Sequence, residues 1–229
     1  SRRESPLCPA DGKRENRMPG KEIRMERQEA LASAKRQVLE TARKAYKEGL
    51  MAGTSGNMSV YLRDSGLMAI TPSSYDYSIM EEKDIVVTDL EGNVAEGWLK
   101  PSSEWRLHAE IYKSLPHVGA VVHTHSPYAT SFAVLRKEIP VILIEMEPFI
   151  KGSVEVSPYA VQGSAEVGKN AVPILERKNA CLMANHGVVA VGADMAQAYI
   201  NSVYTEDAAK IYHMALCVGE PVVIGEKGE

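Results

Sequence analysis

The sequence predicts a layered α/β or α+β domain built on one mixed sheet. Two features predict it: long segments whose apolar residues recur every three or four positions, and short apolar runs bounded by Gly, Asn and Asp. With 229 residues and 45% apolar content the chain can bury one substantial core, so one main domain with an appendage is expected.

Taken in order, Ser1 to about Gly20 mix charge, Pro and Gly with hardly any large apolar side chain, too little to offset their ordering entropy. They are read as a flexible arm, with 1–24 as the arm and 25–229 as the main domain. From Glu22 to Glu48, Leu31, Ala34, Val38, Leu39, Ala42 and Tyr46 form the apolar stripe of a long helix, which Gly49 is placed to end. Asn57–Tyr61 and Gly66–Thr71 read as a hairpin turning at Asp64-Ser-Gly, and Asp84–Asp89 with Val94–Gly97 as a second strand pair. Ser103–Ser114 reads as a helix with Trp105, His108, Ala109 and Tyr112 along one side. A buried strand over Val118–His125 follows, then a short helix from Ser126, a strand at Val141–Glu145 and a helix over Ser164–Lys178. Ala180–Val191 reads as a strand with a break near His186, and Asp194–Val218 as a final helix.

Composition excludes several function classes. A net charge of −4 lacks the basic excess that neutralises phosphates in nucleic-acid binders, so a small-molecule substrate is expected. Three cysteines, none closely spaced, are poor material for a disulfide framework or a thiolate zinc site and suit a reducing cytoplasm. No apolar run approaches the roughly 18 residues that span a bilayer.

The sharpest chemical signal is His123-Thr-His125, because side chains two apart on a strand share a face and can reach one cation. A third nitrogen is available from His186, which precedes Gly187 at the break in an apolar run. Three imidazoles with one open or carboxylate-filled position describe a catalytic zinc-type site. His108, His117 and His213 are read as structural.

Lys100-Pro-Ser-Ser-Glu-Trp105 looks like a helix entry, where free N–H groups and the helix dipole favour an anion such as phosphate. Gly53-Thr-Ser-Gly-Asn57 and Ile70-Thr-Pro-Ser-Ser74 offer similar hydroxyl and backbone donors in tight turns. Glu104, beside this cradle, reads either as a first-turn carboxylate or as a base near the cation. A cation that binds the carbonyl and adjacent hydroxyl oxygens of a ketose phosphate acts as a Lewis acid for carbon–carbon cleavage.

These segments, GTSGN, ITPSS, KPSSEW, AVVHTHS and ANHGVVAVG, run in order between about Arg36 and Val218 and resemble the class II aldolase and adducin-head family. The resemblance implies a three-layer α/β/α sandwich with a mixed, mostly antiparallel sheet, and cyclic homotetramers with sites between subunits. It implies metal ligation by His123, His125 and His186, with zinc suited to the imidazoles. Glu104 becomes the catalytic glutamate and a resting ligand. Thr54, Asn57, Ser73, Ser74, Ser102 and Ser103 fall on the phosphate-binding positions.

Glu104-Trp105 after the paired serines is similar to the family's fuculose-phosphate aldolases, whereas its epimerases carry Asp there. The resemblance therefore implies cleavage of a ketose 1-phosphate to dihydroxyacetone phosphate and a short aldehyde. Rival activities within the family are a methylthioribulose-phosphate dehydratase and a ribulose-phosphate 4-epimerase; a non-catalytic scaffold would need no metal histidines. The chain departs from the fuculose-phosphate pattern where substrates are chosen, with Ile144 in place of a tyrosine and Gln162 in place of a phenylalanine. The tyrosine-bearing tail of those enzymes has no counterpart before Glu229. Glu145, Glu147 and Tyr159 are the nearby alternatives for a second proton donor.

Overall fold

A computed structural model describes residues 19–225. Helix α1 spans Pro19–Lys47 and so begins inside the stretch assigned to the arm; a proline at the first helical position has no amide hydrogen to leave unpaired. Residues 1–18 lie outside the described residues.

Strands β1 (Asn57–Leu62) and β2 (Leu67–Ile70) form the expected hairpin, pairing Ser59 with Ile70 and Leu62 with Leu67. Strand β3 (Val86–Thr88) pairs with β2, and β4 (Val94–Glu96) closes that edge. Helix α2 (Trp105–Ser114) leads to β5 (Ala120–Thr124), which lies antiparallel to β1 with Asn57 opposite His123. Helix α3 (Pro127–Leu135) follows at once, as expected after Ser126.

The stretch Val141–Glu145 is not a strand. Pro140, with no N–H for a ladder, precedes it, Met146 N–H bonds back to Leu143 O, and the chain turns into a short helix α4 (Met146–Ile150). Beyond it come a two-residue strand β6 (Val156–Ser157) and helix α5 (Ala165–Leu175).

The run Ala180–Val191 is two strands rather than one. Strands β7 (Ala180–Met183) and β8 (Gly187–Gly192) pair antiparallel around a turn in which Asn185 takes a left-handed φ of 56°. The apolar residues on either side of the His186-Gly187 break report burial, and the break by itself does not say that the chain reverses there. Helix α6 (Met195–Val218) ends the fold, capped by the Asp194 side chain on Gln197 N–H.

Among the described residues the sheet has eight strands in the order β4-β3-β2-β1-β5-β8-β7-β6, antiparallel except for β6 with β7. Helices α1 and α6 cover one face through Ala34, Val38, Ala42, Met195 and Ala198, packed on Met58, Val60, Ala120 and Val122. The opposite face carries α2 and α5, with Leu107, Ile111, Val167 and Ala171 against Val121, Val189 and Val191. This alternation along β1, β5 and β8 produces the three layers. Among the described residues, no helix is long and apolar enough to cross a membrane.

Candidate metal centre and active site

The end of the sheet where β1 begins and β5 ends gathers the expected histidines. His123 occupies β5 and is wholly buried; its Nδ1 donates to Val188 O at 2.8 Å, which leaves Nε2 as a lone-pair donor facing out of the strand. His125 lies just past the strand end, so strict alternation is not what aims it. The start of α3 holds it instead: Glu206 on α6 accepts from Tyr128 N–H and Ala129 N–H, fixing the helix immediately beyond. His186 sits in the β7–β8 turn, which Asn185 N–H to Ala133 O and Arg136 Nε to Asn185 Oδ1 fasten to α3.

The Nε2 atoms of His123 and His125 are 3.1 Å apart. Glu104 Oε2 lies 3.1 Å from His123 Nε2, and Glu104 Oε1 lies 3.0 Å from His186 Nε2. The four ligand atoms all fall within 4.8 Å of one another. Despite their proximity, Glu104 Oε1 and His186 Nε2 are buried without a well-directed hydrogen bond among the described residues. Lone pairs that converge on one point without satisfying each other fit a shared cation better than they fit a hydrogen-bonded cluster. The donor set, three imidazole nitrogens and one carboxylate oxygen, is that of a four-coordinate divalent site.

Burial pushes the His125 imidazole down to about 4, the neighbouring His123 and His186 adding to this and Glu104 opposing it. His125 is therefore neutral at working pH, the state in which imidazole ligates. Burial alone would raise the Glu104 carboxyl, and only protonated His123 and His186 rings beside it would outweigh burial and hold it well below the usual carboxylate range; neutral rings that hold a cation do not exert that charge.

Gly187 sits behind the histidines. A Cβ there would lie 2.5 Å from Thr124 O, 3.2 Å from His125 Cδ2 and 3.3 Å from His123 Cε1. Because the nearest of these is backbone, a Gly187→Ala chain must shift the hairpin. Cation affinity is expected to fall about 10-fold or more with the helical circular dichroism kept, as calorimetric metal titration would measure.

Beside the cluster opens a polar cavity of about 310 Å³ whose lining includes Thr54, Asn57, Ser73, Ser74, Ser102 and Ser103, with Glu104 and His125 at one end. Two serine turns are stitched together by Ser73 N–H to Lys100 O and Ser102 N–H to Thr71 O, each 3.0 Å. Ser102 Oγ accepts from Glu104 N–H at 3.2 Å just before α2 begins at Trp105. Asn57 lines the cavity, but its carboxamide is turned to Glu104 and His108.

Of the positions where substrate choice was expected, Gln162 lines the cavity while Ile144 is 76% exposed. Glu145, Glu147 and Tyr159 are not among its lining residues. His117 and His213 are at the surface and lie outside the cluster, and His108 is fully buried with both ring nitrogens bonded, as a structural histidine should be. Sequence reasoning missed the link from His108 through Asn57 to Glu104. Its signal was present: Asn57 and Ser59 are polar residues two apart on a strand, and Glu104, His108 and Tyr112 stand four apart along a helix.

Residues 36–213 match the model of the Class II Aldolase and Adducin N-terminal domain. A 5-deoxy-D-ribulose 1-phosphate aldolase of Bacillus thuringiensis serovar kurstaki is 34% identical over 86% of this chain and 92% of its own length. A 5-methylthioribulose-1-phosphate/5-deoxyribulose-1-phosphate aldolase of Rhodospirillum rubrum is 38% identical over 82% and 83%. The solved structure of an L-fuculose 1-phosphate aldolase superposes with a TM-score of 0.80 at 38% identity, covering 85% of this chain and 92% of that one. Three histidines and a glutamate converging beside a hydroxyl-lined cavity, on this sandwich and in this sequence company, leave one assignment: the chain belongs to the class II aldolase and adducin N-terminal family, as a sugar-phosphate aldolase and carbon–carbon lyase.

Proposed function

We propose that the chain cleaves a ketose 1-phosphate to dihydroxyacetone phosphate and a short aldehyde. The observation that carries this reading is the placement of Glu104, 3.1 Å from His123 Nε2 and in the wall of the serine-lined cavity. A divalent cation, for which zinc suits the three imidazoles and the carboxylate, supplies a Lewis acid for charge building on the substrate's ketone and neighbouring hydroxyl oxygens. His123, His125 and His186 would hold it, with Glu104 as a resting ligand.

The chain's own groups do the rest. Backbone and hydroxyl donors of Thr54, Ser73, Ser74, Ser102 and Ser103 bind the phosphate and so set the depth of the reacting carbons. In the condensing direction Glu104 takes the proton from C3 of dihydroxyacetone phosphate. In cleavage the C4 hydroxyl gives its proton to solvent as it becomes the aldehyde, the C3–C4 electron pair stays on the triose as an enediolate, and Glu104 then protonates C3.

The substrate class is a ketose 1-phosphate with a deoxygenated far end. Fuculose 1-phosphate and 5-deoxyribulose 1-phosphate both fit that description, and the names of the two relatives support the pentulose. Gln162, in place of an aromatic residue, gives the cavity wall a polar group at the position where the aldehyde is chosen. Exposed Val134, Leu135, Ile144 and Val161 support an assembly that covers them, for which we propose the homotetramer with sites at subunit interfaces. The free thiols Cys181 and Cys217 suit a reducing cytoplasm.

The test is deuterium exchange at C3 of dihydroxyacetone phosphate with no aldehyde present, by zinc-loaded protein in heavy water. Exchange is expected. No exchange by fully loaded protein would overturn the reading, as would pentulose 5-phosphate interconversion without triose release, or loss of water from methylthioribulose phosphate.

A further inference from the structure

Beneath α2 the sheet carries a row of buried polar side chains that anchoring a helix does not require. Starting from Glu104 Oε2, Asn57 Nδ2 donates to it at 2.9 Å, and Asn57 Oδ1 meets His108 Nε2 at 2.5 Å. His108 Nδ1 lies 2.6 Å from Ser59 Oγ, which lies 2.8 Å from the Tyr112 hydroxyl. Tyr112 also donates to Ser59 O at 2.9 Å. Asn57 is 3% exposed, and Ser59, His108 and Tyr112 are no more than 1% exposed. Apolar side chains of similar volume would hold α2 to β1 without desolvating these groups, so the row's stability value alone is a weak reason for it.

We propose that His108 is a positioning residue for Glu104, acting through Asn57: its Nε2 hydrogen anchors the carbonyl end of the amide whose NH2 end holds the carboxylate. This rests on the reading of Glu104 as the base. The direction of every bond follows from the carboxylate, which only accepts. Asn57 must therefore turn its NH2 to Glu104 and its carbonyl to His108. His108 must then carry hydrogen on Nε2, and its Nδ1 must accept from the Ser59 hydroxyl. From Ser59 to Asn57 every donor points toward Glu104, and the single Tyr112 hydrogen is shared between Ser59 Oγ and Ser59 O. Burial pushes His108 down to about 3, with His123 adding to this and Glu104 opposing it, so the ring is neutral and the tautomer is set by its neighbours.

Without the Nε2 donor, Asn57 Oδ1 is left buried with no partner, and the amide is held only by its bond to Glu104 Oε2. The amide is then free to turn about its side-chain bonds, and the carboxylate it holds turns with it, away from C3. The three imidazoles and the serine turns, held by other elements, would be unaffected. The signature is thus a loss in proton transfer with binding preserved.

The experiment uses the full chain. Nitrogen-15 spectra of histidine-labelled protein, zinc-loaded and metal-free, are expected to show His108 neutral with hydrogen on Nε2 in both. His108→Leu should lower the C3 exchange rate about 10- to 100-fold at unchanged KM and bound zinc. His108→Gln, whose amide restores a donor near the Nε2 position, should recover most of that loss. Ser59→Ala, a small change that keeps the core filled should the leucine variant fail to fold, should give a smaller loss in the same direction. Hydrogen on Nδ1, a loss that tracks zinc content, a glutamine variant no faster than leucine, or Ser59→Ala at full rate would each overturn the proposal. A zinc-loaded wild type without exchange overturns Glu104 as the base, whereas an active wild type with any of those outcomes overturns the positioning role alone.

Discussion

Glu104→Gln is expected to lower aldol cleavage and C3 exchange by about 100-fold or more, the scale of general acid–base catalysis, with phosphate binding retained. The two side chains have nearly the same shape, so the turn of Ser102 and Ser103 and the start of α2 should persist. What disappears is the ability to take a proton. Asn57 Nδ2 donates to Glu104 Oε2, and a glutamine can offer its own carbonyl there. Its amide nitrogen then faces His186, where Glu104 Oε1 stood 3.0 Å away. Three imidazoles still hold the cation, so zinc should remain countable in the purified variant. Exchange kinetics beside elemental analysis check this: a zinc-bearing Gln variant at full rate would remove Glu104 from the chemistry.

His123→Ala should abolish metal binding and turnover together. Its ring is wholly buried and its Nδ1 is committed to Val188 O, so no other side chain can swing into its place. The consequence extends to stability. A ligand that binds only the folded state stabilises it by mass action, by about 2.7 kcal/mol at 100-fold excess over its dissociation constant, and so raises the melting temperature. Added zinc should therefore raise the melting point of the wild type and leave that of His123→Ala unmoved. Melting curves with and without zinc decide it. A His123→Ala chain with full zinc content would show that the cation sits elsewhere.

Much of this was readable from residue order. Helix stripes such as Leu31 to Tyr46 and turns such as Asp64-Ser-Gly report local preferences, and local preferences survive folding. Val141–Glu145 did not obey its pattern. Five apolar or bulky residues in a row suit a strand only if a neighbouring strand is free to pair with them, and Pro140 removes a donor where pairing would begin. The break within Ala180–Val191 was visible at His186-Gly187, yet its meaning, a reversal that brings His186 back beside His123, depended on β7 and β8 pairing.

Residue type and order identified the family and supplied the candidates proposed for the site: which histidines, which carboxylate and which serine turns. The partners came only with packing. The pairing of Asn57 with His123 across β1 and β5, and the seating of α2 on that face, brought His108 and Ser59 into one hydrogen-bonded row behind Glu104. Periodicity tells which side of an element is buried, but a hydrogen bond over some fifty positions of chain forms only when strand register and helix placement agree to within about an ångström.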